Sequence, residues 1–559
     1  MPRGHFNSRL LPRRSLTRQR AALAGFVLLA AGGLLPSRAA PAETSGPIVE
    51  LPKFEVVDSR LLPPPESWRY ADIPGFEILS SISERETRRF VRDFLLLQEV
   101  IDAIMPGLRR ARVPVPTALI LSGRGRGFDA FLPADRADDA LGTNGIFLQN
   151  SERGAIVVDF ALSELQLDGE NTTQADPYRA FYLEYFRSLI RRESAHPPPW
   201  LEEGLVQLLA STEFTTNWIS FAQVGDGFGG QKPGDFNRLL AQHALLPFDE
   251  LFAAEPPRDG RAYWSAQAYA FVHLCLYGLN QRYQKPFLQF VGRLASEPAS
   301  ERVFQECFRQ SYRQMGDELR GYVEFTAYQA TEFKARKGRG LPEPPAVQLR
   351  AATDAEVGRI KGEALRLGGH GREAHEALIA PYIRGERDPR LLAALGLDES
   401  LAGHRERAVK FLEAATAAGV ERPGAYAELA RLRLDAATRT AKLDDAQLRT
   451  ILAPLLVARR QPPPMAAVYA LMAETWSRSA THPSRDEFKI LLEGVSTFPR
   501  DASLLLQVAL VAAGHGYTNE ALQLAERGQK IATSAAARAD FASLAAALQR
   551  DAAGPTSSP

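Results

Sequence analysis

A short motif that returns at a fixed distance in the C-terminal part of the chain constrains its fold most strongly. Gly369-His370-Gly-Arg-Glu-Ala374 recurs as Gly403-His404-Arg-Glu-Arg-Ala408, at an offset of 34 residues. From residue 353 onward the composition shifts to Ala, Leu, Arg and Glu. A repeat of this length is typical of units that cannot bury their apolar faces alone and stack on their neighbours. The sequence therefore predicts a helical array in this part of the chain.

The period resembles that of tetratricopeptide repeats, in which paired helices stack into a superhelix. The pattern returns near the end, in Phe498-Pro-Arg-Asp501 and in Gly514-His-Gly-Tyr-Thr-Asn-Glu-Ala521. About five helical pairs fit in residues 353–550 at this period. Small residues stand where helices must touch: Ala374, Ala377, Ala408, Ala414, Ala425 and Ala430. The repeats are degenerate, so an alanine-rich bundle without regular repeats remains the alternative.

The first 42 residues predict an export signal. An apolar run of fifteen residues, 21–35, is followed by small residues, with Ser37-Arg-Ala39 or Ala40-Pro-Ala42 as candidate cleavage sites. The run is shorter than the roughly 20 residues of a membrane span, although an uncleaved anchor is the alternative. We therefore expect a periplasmic or extracellular protein. The basic segment before the run contains Arg13, Arg14, Arg18 and Arg20.

Charge argues against nucleic acid as a partner. Residues 1–42 hold seven arginines and no acidic residue, so the remainder carries 60 basic and 66 acidic side chains. A mildly acidic body lacks the basic surface that nucleic-acid binding requires. After removal of the signal, no window is long and apolar enough to predict a stable membrane span.

The region 68–332 predicts a mixed α/β structure after a proline-rich extended segment, 43–67. Apolar positions at helical spacing predict a helix over 84–105, and 117–122 reads as a buried strand. Strands at 145–149 and 155–160 flank a hairpin loop. Further helices are predicted at 246–252, 263–280, 287–294 and 302–326, with a short strand at 218–223. The glycines of 123–127 predict a turn, since the lysine and the spacing of a phosphate-binding loop are missing.

Two more helices, 180–193 and 200–211, are separated by His196-Pro-Pro-Pro199, because consecutive prolines break a helix. The second begins Pro199-Trp-Leu-Glu-Glu203-Gly204-Leu, which resembles the Pro-x-Trp-Leu-x-Glu-Gly helix of the peptidase-MA-like gluzincins. In that family of zinc peptidases the glutamate before the glycine is the third zinc ligand. The resemblance makes Glu203 a retained ligand-type position and covers roughly residues 68–330.

The family's other two zinc ligands come from an upstream His-Glu-x-x-His helix, and here that helix reads Leu183-Glu184-Tyr-Phe-Arg187. Two histidines four residues apart share a helical face and grip one ion, while the glutamate activates the bound water. Leu183 donates nothing, and Arg187 is a permanent cation. A catalytic zinc needs three protein ligands. The resemblance therefore implies the fold without the activity: Glu184 is a vestigial general-base position, and we expect no metal and no other cofactor.

Two placements of Arg187 remain open. Its guanidinium can pair with Glu203, and with Glu184 one turn away, so that a fixed cation replaces the metal. Alternatively Arg187 turns outward and the site collapses around Leu183 and Phe186.

Lone histidines and cysteines offer weaker candidates. His196 lies in the proline turn, away from the ligand face. His375-Glu-Ala-Leu-Ile379 starts like a zinc motif but has isoleucine at the second ligand position. We expect structural roles for the remaining histidines considered: His243, His273, His370, His404 and His515. Cys275 and Cys307 form a disulfide or stay buried as free thiols.

These observations predict an α+β fold class: a gluzincin-like metallopeptidase domain, a small mixed sheet plus helices, followed by an all-α tetratricopeptide-like superhelix. The expected function is an exported, non-catalytic peptidase-like protein that binds a protein or peptide partner through its repeats. An active gluzincin-type metallopeptidase with an atypical metal site is the alternative. The expected boundaries are 1–42 export signal, 43–67 extended segment, 68–332 peptidase-type domain, 333–352 linker, 353–553 repeats and 554–559 disordered tail.

Overall fold

The computed structural model describes the chain from residue 50 to residue 553, with gaps. The described residues are 50–53, 64–104, 115–123, 125–133, 144–161, 177–193, 197–210, 213–214, 218–221, 239–240, 243–257, 259–294, 297–325, 331–334, 344–437, 442–532 and 534–553. The predicted export signal, the C-terminal tail, most of the proline-rich segment and His196 therefore lie outside the described residues.

A six-stranded mixed sheet organises the first half of the described chain. Its strands are β1 (Arg69–Ile73), β2 (Phe76–Ser80), β3 (Thr117–Ser122), β4 (Gly145–Gln149), β5 (Gly154–Asp159) and β9 (Arg350–Ala351), in the order β4-β5-β3-β2-β1-β9. β2, β3 and β5 run parallel, while β1 pairs antiparallel with β2 and with β9. β4 and β5 form the predicted antiparallel hairpin. Parallel strands are covered on both faces, which accounts for the continuous apolar runs of β3 and β5.

One face of the sheet packs against two long helices, α1 (Glu84–Ile104) and α3 (Pro177–Glu193). Leu119 and Ile156 of the sheet share a buried cluster there with Phe94 of α1 and Phe181 of α3. The rings of Phe94 and Phe181 meet edge to face with centroids 4.8 Å apart, a favoured aromatic geometry. The sheet thus fixes the orientation of α3.

The first half has seven other α-helices among the described residues. One precedes α3, namely α2 (Gly125–Asp129). The others follow it: α4 (Pro199–Ala210), α5 (Phe248–Leu251), α6 (Arg261–Tyr277), α7 (Gln284–Arg293), α8 (Glu301–Phe308) and α9 (Tyr312–Phe325). A second, three-stranded sheet has the order β6 (Glu213–Phe214), β7 (Trp218–Phe221), β8 (Thr331–Lys334). Cys275 is buried and Cys307 half-buried, and both are free thiols.

Two sequence predictions are corrected here. The helix predicted over 302–326 is two helices, because Arg309 adopts a left-handed backbone with φ 60° and ends α8. The segment predicted as a linker, 333–352, has a strand at each end, since β8 pairs with β7 and β9 with β1. The glycine turn at 123–127 is instead the start of α2, which begins at Gly125.

The second half of the described chain is helical throughout, in five successive helix pairs and a final helix. These are α10 (Asp354–Leu367) with α11 (Gly371–Ile383), α12 (Pro389–Leu401) with α13 (Arg405–Ala417), α14 (Pro423–Ala436) with α15 (Asp445–Ala458), α16 (Ala466–Ser477) with α17 (Arg485–Thr497), α18 (Ala502–Gly514) with α19 (Thr518–Ile531), and α20 (Ala535–Ala553).

The 34-residue period is visible in the packing of the first two pairs. A Cβ added at Gly362 would lie 2.6 Å from Cγ of Leu378, and one added at Gly396 would lie 2.6 Å from Cγ of Leu412. Both glycines and both leucines are 34 residues apart. Each pair therefore crosses at a glycine that admits a leucine. This geometry gives a tetratricopeptide-like array, as the period predicts.

The array packs directly on the second face of the main sheet. Ile120 and Val157 of the sheet share a buried cluster with Ile360 and Leu365 of α10. The sheet is therefore a central layer between α1 and α3 on one side and the first repeat helix on the other. Among the described helices, none combines the length and apolarity needed to cross a lipid bilayer.

Candidate functional site

The altered motif lies where α3 packs against α4. Phe181 and Tyr185 point into the aromatic cluster, with Tyr185 centred 5.0 Å from Phe94. Because residues three and four apart share a helical face, Glu184 and Arg187 lie together on a different face of α3, which meets α4. Leu183, four residues before Arg187, is half-buried against the apolar core, and its aliphatic side chain has no ligand atom.

Arg187 is the centre of the site. Its guanidinium lies 2.5 Å from Oε1 of Glu184 and 3.5 Å from Oε2 of Glu203. Its Nε lies 3.0 Å from Oε1 of Glu202. Only 22% of the Arg187 side chain is exposed. The structure therefore brings Arg187, Glu184 and Glu203 together, and the outward placement of Arg187 is wrong.

Both carboxylate oxygens of Glu203 accept hydrogen bonds from other side chains. Its Oε1 accepts a hydrogen bond of 2.9 Å from Nε2 of Gln207, one turn along α4, and a second from the hydroxyl of Ser265 on α6. Its Oε2 accepts from Arg187. Each oxygen of this carboxylate therefore has partners within the protein.

Gly204 explains how Ser265 comes so close. A Cβ at this position would lie 2.5 Å from Cγ2 of Val272 and 2.7 Å from the carbonyl oxygen of Ala268. Only glycine lets α4 approach α6 to this distance. The Glu203-Gly204 pair of the sequence motif is therefore a ligand-type carboxylate followed by a helix contact point.

The electrostatics of the site favour a permanent cation. Burial disfavours the charged guanidinium, but attraction to Glu184, Glu203 and Glu202 outweighs it and raises the pKa of Arg187 above its usual value. Arg191, one turn further along α3, donates to Oε1 of Glu202 at 3.0 Å. Three carboxylates and two guanidiniums give the cluster a formal charge of −1.

The residues present do not fit a zinc ion. Leu183 has no atom that can bind a metal. The guanidinium of Arg187 pairs with Glu203, the carboxylate that would be the third zinc ligand. Across the described residues, no group of three or more His, Cys, Asp or Glu side chains is arranged to hold a metal ion. Arg187 binds both Glu184 and Glu203, in the role that a shared metal ion would have.

Most of the singled-out histidines have structural partners. His273 is buried with its Nδ1 2.8 Å from the hydroxyl of Tyr322. His375 contacts Asp398 at 2.5 Å, and His404 contacts the buried Glu399 at 2.7 Å. A ring nitrogen of His370 lies 2.6 Å from the carbonyl oxygen of Leu132. The ring of His243 lies beside that of Tyr263, with centroids 5.5 Å apart.

Four members of the site were not predicted from the sequence. Arg191, which binds Glu202, lies four residues after Arg187 on α3. The motif identifies Glu203, the glutamate directly before Gly204, and not the adjacent Glu202. Gln207 lies four residues after Glu203, a helical spacing that predicts contact. Ser265 lies 62 residues away in sequence, and no local pattern identifies it.

A second charged group, here called the sheet–repeat ion cluster, joins the main sheet to the array. It consists of Glu77, Glu152, Arg153, Arg359, Glu363 and Arg422. Arg359 of α10 is 2% exposed and binds both carboxylate oxygens of Glu77 on β2, at 2.6 and 3.0 Å. Burial alone would raise the pKa of Glu77, but Arg359, Arg153 and Arg390 lower it to about 2.

The β4–β5 hairpin loop reaches into this cluster. Oε1 of Glu152 accepts a hydrogen bond of 2.6 Å from the backbone N–H of Gly424, in the first turn of α14. Its Oε2 lies 3.5 Å from Nε of Arg422, whose guanidinium also binds Glu363. A carboxylate suits a helix N-terminus because the first N–H groups there have no partner within the helix. The loop therefore caps a repeat helix.

Comparison with known proteins gives limited similarity. No protein-family model matches the sequence, and no curated protein matches it. Among solved structures, TTC0263, a thermophilic TPR protein of Thermus thermophilus, is 17% identical, with 34% of this chain and 98% of that chain covered and a TM-score of 0.26. Yeast Tom70 is 13% identical, with 71% of this chain and 79% of that chain covered and a TM-score of 0.20. At these TM-scores the similarity adds nothing to the repeat geometry described above.

Proposed function

We propose that this chain is an exported, non-catalytic peptidase-like protein that acts as a protein- or peptide-binding scaffold through its helical repeats. The observation that carries the proposal is the position of Arg187. A cation fixed among Glu184, Glu202 and Glu203 occupies the space between the two helices that hold zinc in the resembled family.

Catalysis of the resembled kind needs a metal that lowers the pKa of a bound water and polarises a carbonyl. Arg187 does neither, because a guanidinium has no acceptor and stays protonated. Glu184, the general-base position, binds Arg187 through its Oε1. With Leu183 in the other ligand position, the chemistry loses both its metal and its free base.

The peptidase-like part of the proposal is supported by the order of elements. A mixed sheet carries α3, a proline break follows, and α4 presents the Glu-Gly pair against α6. This is the order that the sequence resemblance implies for the gluzincin-like region. In this proposal the zinc site has become a structural joint between α3 and α4.

The binding part of the proposal is supported by the repeats. Arrays of stacked helix pairs offer extended surfaces that suit peptides and folded proteins. Leu401 on α12 is 72% exposed and Leu510 on α18 is 51% exposed, so both can carry a cross-linker without disturbing the core. Leu288 on α7, 61% exposed, is a matched position outside the array.

The test begins with the untagged protein lacking residues 1–42. Metal content is measured by mass spectrometry, and cleavage of casein is followed with and without a chelator. We expect no stoichiometric zinc and no chelator-sensitive cleavage. Stoichiometric zinc with chelator-sensitive cleavage would establish the alternative, an active metallopeptidase with an atypical site.

Binding is tested with a photo-cross-linking amino acid at Leu401, Leu510 or Leu288 in cells that produce the protein. We expect a discrete cross-linked protein or peptide from the two repeat positions and none from Leu288. Cross-links from Leu288 alone would move the binding surface to the peptidase-like region and refute the scaffold role of the array.

A further inference from the structure

Two histidines from successive turns of the array face each other. His482 lies between α16 and α17, and His515 ends α18, 33 residues later. Their Nδ1 atoms are 3.0 Å apart, and the two rings are nearly perpendicular, with an interplanar angle of 88°. His482 is exposed and His515 half-buried. The pair is therefore accessible from solvent.

The orientation of His515 is fixed by its other ring nitrogen. Nε2 lies 3.1 Å from the carbonyl oxygen of Trp476. A carbonyl can only accept, so Nε2 carries the hydrogen and Nδ1 of the neutral ring has a free lone pair. In the neutral pair, Nδ1–H of His482 donates to that lone pair.

The two turns are also tied to each other. Tyr517, two residues after His515, donates through its hydroxyl to the carbonyl oxygen of Pro483 at 2.8 Å. Its ring stacks on Phe488 of α17 with centroids 4.3 Å apart and planes 5° from parallel. The separation of the two histidines is therefore set by the packing of the repeats.

We propose that His482 and His515 form a two-nitrogen binding site for a divalent transition metal that prefers square-planar coordination, with Cu²⁺ bound most tightly. One ion bonded at about 2.0 Å to each nitrogen can span the observed Nδ1–Nδ1 separation of 3.0 Å. Cu²⁺ also heads the affinity order for imidazole ligands.

The surroundings suit this role. A metal-binding histidine usually donates its second ring N–H to a carbonyl or carboxylate, as His515 does to Trp476. Metal binding needs the His482 lone pair on Nδ1, so the proton of that ring moves to Nε2 by exchange with water. The exposed ring then turns slightly so that both lone pairs converge on the ion. Water fills the remaining positions.

The test is a calorimetric titration of the untagged protein lacking residues 1–42 with Cu²⁺ and, separately, with Zn²⁺. Cys307→Ser is introduced in every sample, because a half-buried thiol can reduce copper. The variants are His482→Ala and His515→Ala, with His243→Ala as the matched control of an exposed histidine outside the pair. Electron paramagnetic resonance counts the nitrogens bound to copper, and circular dichroism checks folding.

We expect one equivalent of Cu²⁺ with two coordinating nitrogens in the parent and in His243→Ala, and loss of that binding in both pair variants. Zn²⁺ should bind at least about tenfold more weakly than Cu²⁺. Absence of copper binding in the parent, or unchanged binding in His482→Ala, refutes the site. If His515→Ala does not fold, His482→Ala decides, because that side chain is exposed.

Discussion

The guanidinium of Arg187 on α3 spans the gap to Glu203 on α4, with Nη2 3.5 Å from Oε2, while the same side chain binds Glu184 and Glu202. One cation thus connects two helices through three carboxylates. Removing it would leave those carboxylates facing one another with little access to water.

Replacement of Arg187 by alanine should destabilise the protein strongly. A buried ion pair that loses one partner costs about 3 kcal/mol, since the remaining charge is left uncompensated. Arg191→Ala is the matched control, because Arg191 is 42% exposed and, within the described part of the chain, pairs with Glu202 alone. Its cost should stay below about 1 kcal/mol. Urea denaturation followed by circular dichroism compares the two, and equal losses would contradict a central role for Arg187.

The double substitution Leu183→His with Arg187→His should create a zinc site. It restores two histidines one helical turn apart, and the loss of Arg187 frees Oε2 of Glu203 as a third ligand. We expect stoichiometric zinc in the folded double variant. Arg187→His alone, with one histidine fewer, should retain little metal.

Adding Glu203→Gln to the double variant should abolish zinc binding, which shows that the third ligand is the expected one. A folded double variant that binds no zinc would count against a peptidase-like arrangement of α3 and α4. The result is read by metal analysis after dialysis.

How far the sequence predicts this site depends on spacing. Arg187 and Glu184 are three residues apart on a helix, and the proline break allows α4 to fold back onto α3, so the sequence offers the contact with Glu203 as one of two placements of Arg187. The structure decides between them. The contact with Ser265 cannot be predicted, because Ser265 lies on α6 and carries no pattern of its own. The roles of Leu183 and Arg187 as altered ligand positions remain a prediction from the resemblance.

Acid should weaken the protein partly through Glu77. Its pKa falls from an ordinary 4.5 to about 2 in the folded protein. A lowered folded-state pKa stabilises fully above pH 4.5, and the stabilisation is lost as the pH falls towards 2. The difference amounts to about 3 kcal/mol.

Glu77→Gln should therefore be less stable at pH 6 and lose about 3 kcal/mol less than the parent between pH 5 and pH 2. Asp486→Asn, at a side chain 88% exposed, should stay close to the parent at every pH. Urea denaturation across this range provides the measurement. Parallel pH profiles for the parent and Glu77→Gln would show that the sheet–repeat ion cluster does not set acid stability.

Alanine at the crossing glycines of the array should destabilise it. Gly362→Ala and Gly396→Ala each place a Cβ 2.6 Å from a leucine Cγ, an overpacking that costs about 1–3 kcal/mol. Gly371→Ala is the control, because its Cβ would meet open space and alanine is the better helix former. Thermal melts should fall for the first two and hold or rise for the third. A fall for all three would point to backbone effects instead.

The periodicity of apolar residues predicts some elements of this fold and misses others. The helical and strand periods give α1, β3 and the β4–β5 hairpin close to their observed bounds, and the 34-residue period gives the number of helix pairs. Strands as short as β9, two residues long, are too short to show a period. The break after α8 was missed because Arg309, and not a glycine, takes the left-handed conformation there. An apolar strand also does not reveal what covers its second face, which here is α10.

The insertion of Glu152 under the first turn of α14 makes the two halves of the chain interdependent. A fragment that begins at residue 353 would carry Arg359, Glu363 and Arg422 without the carboxylate of Glu77 or the cap from the hairpin loop. Grafted onto another protein, such a fragment would have two buried arginines facing the single carboxylate of Glu363, and an uncovered apolar face on α10. The repeats thus cannot be separated from the sheet without leaving this interface exposed and its charges unbalanced.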